Sequence, residues 1–248
     1  MPSLILPRLD PRRPEGFPDP AQALAEPNGL LAFGGDLSPR RLLAAYRQGI
    51  FPWFDETGGE PLLWWSPDPR CVFHTDALRP GRSLRRQWRD RDRTISLDRA
   101  FRAVMEACAA PRAGQGGGSW IGPAMIDAYD ELHAQGHAHS VEVWEGARLV
   151  GGLYGVAIGR LFCGESMFSA ESGGSKLALH ALAYLLRGWG WPLIDAQVAN
   201  PHTLGLGAIE IPRAIFLRRA AALSAMPGDA CWRDAEAPTL EALLRAGS

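Results

Sequence analysis

Residues 140–168 read SVEVW, EGAR, LVGGLYGVAI, GR, LFCGESMF: three apolar runs separated by two turn signals. The runs 140–144, 149–158 and 161–168 have strand length and are rich in β-branched and aromatic residues. Glu145-Gly146-Ala147-Arg148 and Gly159-Arg160 carry the glycine that a tight hairpin turn needs, so the stretch predicts three antiparallel strands in series. Past them, Gly173-Gly174-Ser175 opens a helix whose Leu177, Leu179, Leu182 and Leu185 make a strong apolar side, and residues 191–198 read as a further buried strand.

Strand, strand, strand, helix, strand is the order of an N-acetyltransferase-like (GNAT-like) core, and the predicted fold class is α/β of the α+β kind with a mostly antiparallel sheet. Upstream of it, Ser38 is placed to cap a helix with Pro39 at its first position; Leu42, Leu43 and Tyr46 form its apolar stripe and Gly49 stops it. Residues 52–69 hold Trp53, Phe54, Trp64 and Trp65 among Pro61, Pro67 and Pro69, which predicts an ordered loop between two lobes. Asp98 is expected to cap a helix carrying Phe101, Val104, Met105 and Cys108, and Pro123 to open another through Met125, Ile126, Tyr129 and Leu132 up to Gly136. The expected division is a small N-terminal domain over residues 1–65 and a catalytic domain over residues 66–248.

With 248 residues, 46% of them hydrophobic, the chain can bury a sizeable core. No run reaches the roughly 18 apolar residues of a membrane span, and the proline- and arginine-rich start is unlike a secretory signal. Cys71, Cys108, Cys163 and Cys231 are scattered without a C-x-x-C pair, which fits a reducing, cytoplasmic setting. The net charge of −1 argues against an indiscriminate nucleic-acid binder, yet Arg82, Arg85, Arg86 and Arg89 crowd one segment. That patch fits one defined polyanion and equally a solvated helix face.

Candidate chemistry gathers on the last two strands. In Leu193-Ile194-Asp195-Ala196-Gln197-Val198 the strand period of two puts Asp195 and Gln197 on one face, and a carboxylate on so apolar a strand must either pair internally or face a polar cavity. The same period groups Cys163, Glu165 and Met167 one strand earlier. Gly164-Glu165-Ser166-Met167-Phe168 lacks the second glycine of a nucleophile elbow, which excludes a serine hydrolase of that type. Lys176, the only lysine in the chain, follows glycines at a helix start, where backbone N–H groups favour phosphate; an ordinary helix start reads the same way, and the spacing is not that of a P-loop. His133, His137 and His139 are interrupted by Gly136 and lack a cysteine pair, so no metal site is expected. Trp53 and Trp120 are core or lid residues, or platforms for an unpaired base.

Several blocks then point the same way. Glu26-Pro27-Asn28-Gly29-Leu30-Leu31-Ala32, Gly34-Gly35-Asp36-Leu37-Ser38-Pro39, Gly49-Ile50-Phe51-Pro52-Trp53-Phe54 and Leu63-Trp64-Trp65-Ser66-Pro67-Asp68-Pro69-Arg70 resemble the leucyl/phenylalanyl-tRNA-protein transferase family. His137-Ala138-His139-Ser140-Val141-Glu142, Gly151-Gly152-Leu153-Tyr154-Gly155, Asp195-Ala196-Gln197 and Ile211-Pro212-Arg213 continue the resemblance in order, with Ala196 where cysteine is usual. It implies transfer of leucine or phenylalanine, with methionine a further donor, from aminoacyl-tRNA to proteins beginning with arginine or lysine, marking them for degradation, with no cofactor. It also implies that Gln197 orients the attacking amine through its carbonyl oxygen while Asp195 polarises or relays. Glu165 is expected to attract the basic acceptor residue, Leu153 and Met167 to line the donor side-chain pocket, Trp53 and Trp120 to meet the terminal adenosine, and the four arginines with Lys176 to hold tRNA. Replacing Asp195 or Gln197 by alanine is expected to stop transfer and spare the fold. Two other functions fit parts of the pattern: an acetyl-CoA-dependent N-acetyltransferase, whose pyrophosphate loop is not visible, and a non-catalytic tRNA-binding module, which leaves the strand carboxylates without a task.

Overall fold

The three-strand run forms as the turn signals require. The computed structural model describes residues 6–56, 58–110 and 120–246, so the Gly114–Gly118 insertion lies outside the described residues. The first four strands, β1 (Arg8–Leu9), β2 (Leu30–Gly34), β3 (Phe51–Pro52) and β4 (Leu63–Trp65), make a small sheet in the order β1-β2-β4-β3, with α1 (Pro39–Arg47) between β2 and β3. The chain continues through β5 (Arg70–His74), α2 (Arg82–Arg89), β6 (Thr94–Leu97), α3 (Phe101–Ala109), α4 (Pro123–Ala134), β7 (Ala138–Glu145), β8 (Arg148–Ile158), β9 (Leu161–Ser169), α5 (Gly174–Gly188) and β10 (Leu193–Gln197). It ends with α6 (Pro201–Gly205), β11 (Ile209–Ile211), α7 (Arg213–Ser224), α8 (Asp229–Arg233) and α9 (Leu240–Ala246). The large sheet runs β11-β5-β10-β9-β8-β7-β6, and β9 with β10 is its single parallel pair among the described residues.

The expected mixed fold with a mostly antiparallel sheet is therefore the one observed. Glu145 faces Arg148 and Ile158 faces Leu161 across the two hairpins, where Gly146 (φ 59°) and Gly159 (φ 56°) adopt the left-handed conformation that such turns demand. The parallel β9–β10 pair needs a crossover long enough to return the chain, and α5 supplies it.

Apolar residues of alternate parity on the large sheet enter two cores. Val72, Tyr154, Leu161 and Cys163 join α1, α3, α4 and the small sheet through Leu31, Ile50 and Trp64. Phe73, Leu153, Phe162 and Ile194 pack on the opposite face under α5, with Trp232 and Leu243 closing the far side. Gly151 and Gly174 let α5 press onto β8, since a Cβ on Gly151 would lie 2.5 Å from the backbone of Gly174.

Two local expectations are corrected. Residues 52–69 are not simply a loop, because Leu63, Trp64 and Trp65 form the inner strand β4, flanked rather than interrupted by the prolines; Trp64 Nε1 donates to Gly34 O at 2.9 Å. Asp98 does not cap α3, whose N-cap is Ala100; at φ 54° its carboxylate instead takes the Ser140 N–H and lies 2.7 Å from His139 Nδ1. The short strands β6 and β11 carry too few residues for their period to stand out.

Candidate active site

A single irregularity in β9 makes the site. Gly155 pairs with Gly164 and Tyr154 with Ser166, so Glu165 is an extra residue, a β-bulge. The bulge breaks the alternation expected for this strand. Cys163 belongs to the core under α3 and α4, the same core as the Tyr46 and Tyr129 that Glu165 meets, while Met167 packs with the core under α5, so of the predicted common face of Cys163, Glu165 and Met167 only the first two remain together. Glu165 is instead driven into the interior between α1 and α4. Its Oε1 accepts from Tyr46 Oη at 2.7 Å and its Oε2 faces Tyr129 Oη at 3.3 Å, while the two tyrosine hydroxyls hydrogen-bond each other.

Proton counting bears on the charge of this ring. Three hydrogen bonds, Tyr46 to Tyr129, Tyr46 to Glu165 and Tyr129 to Glu165, need three protons, and two phenols supply only two. A ring that makes all three bonds at once carries its third proton on Glu165. Burial points the same way, pushing the Glu165 carboxyl up to about 8, with the nearby Asp195 charge adding to the rise against the lowering effect of the tyrosine hydroxyls and Arg70. Burial also pushes both phenols well above their ordinary range, so they keep their protons. Glu165, expected to attract the basic acceptor residue, thus turns its carboxyl to the two phenols and to the cavity end of β10.

At the end of β10 a second bulge separates Asp195 from Gln197. Asp195 is buried and pairs with Arg70, whose Nε and Nη2 donate to Oδ1 and Oδ2 at 2.8 and 2.6 Å. The carboxylate accepts the Gln197 backbone N–H at 2.9 Å, holding that residue at φ 60°, a left-handed conformation that costs a non-glycine residue about 1 to 2 kcal/mol. Asp195 therefore meets Gln197 through its backbone N–H. The Gln197 Nε2 donates to Glu165 Oε1 at 2.7 Å. With the amide nitrogen so engaged, the carbonyl oxygen is the free end.

These groups open into a cavity of about 950 Å³. One part of its wall is apolar and comes from the core under α5, through Leu153, Phe162, Met167, Leu179 and Ile194. Another part comes from the opposite core, through Phe51, Cys108 and Tyr154, and Trp53 and Trp120 stand at the wall, Trp53 exposed and Trp120 half-buried. Asp195, Gln197, Trp53, Trp120, Leu153, Glu165 and Met167 are thus brought together by strands and loops far apart in the chain.

The leucyl/phenylalanyl-tRNA protein transferase family model matches residues 72–221, and the model of that family's N-terminal domain matches residues 35–68. The chain belongs to this family. A leucyl/phenylalanyl-tRNA–protein transferase of Xanthomonas euvesicatoria is 61% identical over 86% of this chain and 85% of its own length, and one of Xylella fastidiosa is 56% identical over 90% and 92%. Among solved structures, L-PGS from Bacillus licheniformis is similar over 66% of this chain and 52% of its own, at 10% identity and a TM-score of 0.35, a likeness too distant to assign chemistry. The protein is an acyltransferase that moves an aminoacyl group from tRNA to protein.

The other sequence-derived positions of this transferase lie apart from the cavity. Arg82, Arg85, Arg86 and Arg89 occupy α2, which is anchored by the buried Trp88, with Arg82, Arg86 and Arg89 exposed and Arg85 half-buried. Arg91 and Arg93, just beyond the helix, are tied to Glu145 and are structural. Lys176 sits half-buried in the first turn of α5. At this helix start the Gly174 N–H donates to Glu171 O and the Ser175 N–H to Ser169 Oγ, and Gly174 lies close against β8. His133 stacks on Phe101 and His139 on Trp232, and no metal-binding cluster occurs among the described residues.

Sequence reasoning missed Arg70, Tyr46 and Tyr129. Tyr46 and Tyr129 read as apolar stripe residues, although a buried phenol needs a partner for its hydroxyl. Arg70 opens an otherwise apolar strand, Arg70-Cys71-Val72-Phe73, and a charge at such a position signals a buried counter-ion.

Proposed function

We propose that the cavity takes the aminoacyl-adenosine end of leucyl- or phenylalanyl-tRNA and the amino terminus of a protein beginning with arginine or lysine. The observation that carries this reading is the Gln197 carboxamide, clamped by Glu165 through its nitrogen so that its carbonyl oxygen is left free at a cavity with apolar walls and tryptophans. A carbonyl oxygen beside the donor ester accepts an N–H of the incoming α-amine and aims its lone pair at the ester carbon. The new C–N bond forms as the C–O bond to the ribose breaks, and the amine proton passes to the leaving ribose oxygen. The ester is already activated, so orientation supplies most of the acceleration. An α-amine with an ordinary pKa of about 7.7 to 8.0 is substantially unprotonated at neutral pH, which makes a strong base unnecessary.

The apolar wall formed by Leu153, Met167 and Leu179 suits the leucine or phenylalanine side chain, and Trp53 and Trp120 suit the adenine face, where stacking contributes about 1 to 3 kcal/mol. The exposed arginines of α2, with Lys176, suit the tRNA backbone. Such tagging makes the acceptor a substrate for N-degron-dependent degradation in the cytoplasm. Among the described residues no helix is long and apolar enough to cross a membrane.

The test is an incubation with labelled leucyl-tRNA and a peptide starting with arginine, beside one starting with alanine and beside labelled acetyl-CoA. The expected product is leucine joined to the arginine peptide alone. Acetylation of either peptide, or tRNA binding without transfer, refutes the proposal.

A further inference from the structure

Arg70 touches nothing that reacts, yet the hydrogen bonds that shape the reacting end of β10 pass through it. Its side chain is 1% exposed and lies between two aromatic rings, 4.8 Å from the centroid of Phe51 and 4.5 Å from that of Phe216. Its Nε and Nη2 hold the two oxygens of Asp195, and its Nη1 donates to Gly49 O at 3.1 Å. One guanidinium thus joins the α1–β3 connection, β5, β10 and α7. Asp195 uses an oxygen held by Arg70 to hold the Gln197 N–H, which keeps Gln197 in the left-handed conformation at the bulge. From there its carboxamide reaches Glu165.

We propose that Arg70 is a positioning residue for transfer, acting through Asp195 to fix the bulge that aims the Gln197 carbonyl oxygen at the attacking amine. The planar fork matches the carboxylate at two points and its third donor is fixed by Gly49, so the carboxylate can neither rotate nor slide. The aromatic faces on either side hold the plane of the fork and exclude water. Without the fork the Asp195 carboxylate can turn, the backbone N–H of Gln197 loses a fixed acceptor, and the near-attack geometry is sampled only part of the time. This inference rests on the reading that Gln197 orients the amine, and the experiment separates the two.

Transfer from leucyl-tRNA to an arginine peptide is measured per folded molecule, with the folded fraction read by circular dichroism, for Arg70→Lys, Asp195→Asn, Gln197→Ala and the Arg70→Gln/Asp195→Asn double variant. Lysine keeps the charge but offers a single point of attachment, so Arg70→Lys is expected to lower kcat about tenfold or more while KM for leucyl-tRNA stays within about twofold. The double variant leaves no unpaired buried charge and is expected to transfer no more slowly than Asp195→Asn alone, because both changes remove one linkage. If Arg70→Lys does not fold, the double variant against Asp195→Asn decides by itself. Normal kcat in folded Arg70→Lys, or transfer slower in the double variant than in Asp195→Asn, overturns the role of Arg70 while slow Gln197→Ala leaves the site reading intact. Wild-type turnover by Gln197→Ala overturns both.

Discussion

Glu165→Gln tests the hydrogen-bonded ring at the centre of the site. In the folded protein the carboxyl is pushed to about 8 from an ordinary value of 4.5, chiefly by burial. Between those two pH values the native state holds a proton that the unfolded chain has released. Stability therefore falls as pH rises, by about 1.4 kcal/mol per pH unit; the contribution is complete below 4.5 and lost as pH climbs through about 8. The whole interval corresponds to about 5 kcal/mol as an upper bound, comparable to the total stability of many domains. In Glu165→Gln the carboxamide oxygen can accept from Tyr46 and Gln197, and its nitrogen can donate to Tyr129, so the ring keeps its three protons without titrating. Urea unfolding of both proteins from pH 5 to pH 9 is the assay. The variant is expected to be the less stable at pH 5, because a second amide hydrogen lacks a partner, and to gain on the wild type by several kcal/mol by pH 8. Transfer by the variant at pH 7 is expected within about threefold of wild type, with the preference for basic acceptors kept. Parallel stability profiles would mean that Glu165 is ionised through the neutral range, and the proton count would be wrong.

Gln197→Ala should cut kcat strongly with tRNA affinity unchanged, since the side chain is half-buried at the cavity and supports no core; wild-type turnover removes the mechanism. Asp195→Ala should also stop transfer, but the fold is not spared as the sequence suggested: it strands the Arg70 guanidinium, and thermal or urea unfolding should show a loss of about 3 to 5 kcal/mol. Neutralising Arg82, Arg85, Arg86 and Arg89 together should weaken tRNA binding and flatten its salt dependence, by at most about 0.9 in the log–log slope for each phosphate no longer neutralised; an unchanged slope would assign α2 to solvation. Leu153→Trp should fill part of the apolar wall opposite Met167, so that kcat/KM for phenylalanyl-tRNA falls more than for leucyl-tRNA; an untouched ratio would place the side-chain pocket elsewhere.

The element order from Ser140 to Gln197 was legible because every signal that sets it is local. Turn glycines, strand-length apolar runs and a leucine-rich helix act over a few residues, and no distant interaction reverses them. The candidates Asp195, Gln197, Glu165, Leu153, Met167, Trp53 and Trp120 could likewise be picked out one by one, since polar residues in apolar strands and clustered tryptophans stand out against their neighbours. Their relations could not. A strand period counts faces only while the register is unbroken, and two bulges, at Glu165 and between Asp195 and Gln197, changed which side chains meet.

Sequence alone determined that the chain makes a mostly antiparallel α/β fold of this transferase family. The tertiary structure decided the chemistry within it. Whether Glu165 carries a charge depends on Tyr46, 119 positions away, and on Tyr129, 36 positions away, and whether Asp195 can act on Gln197 depends on Arg70, 125 positions away. Protonation and ion pairing are set by what lies within a few ångströms in space, and spacing along the chain does not report that distance.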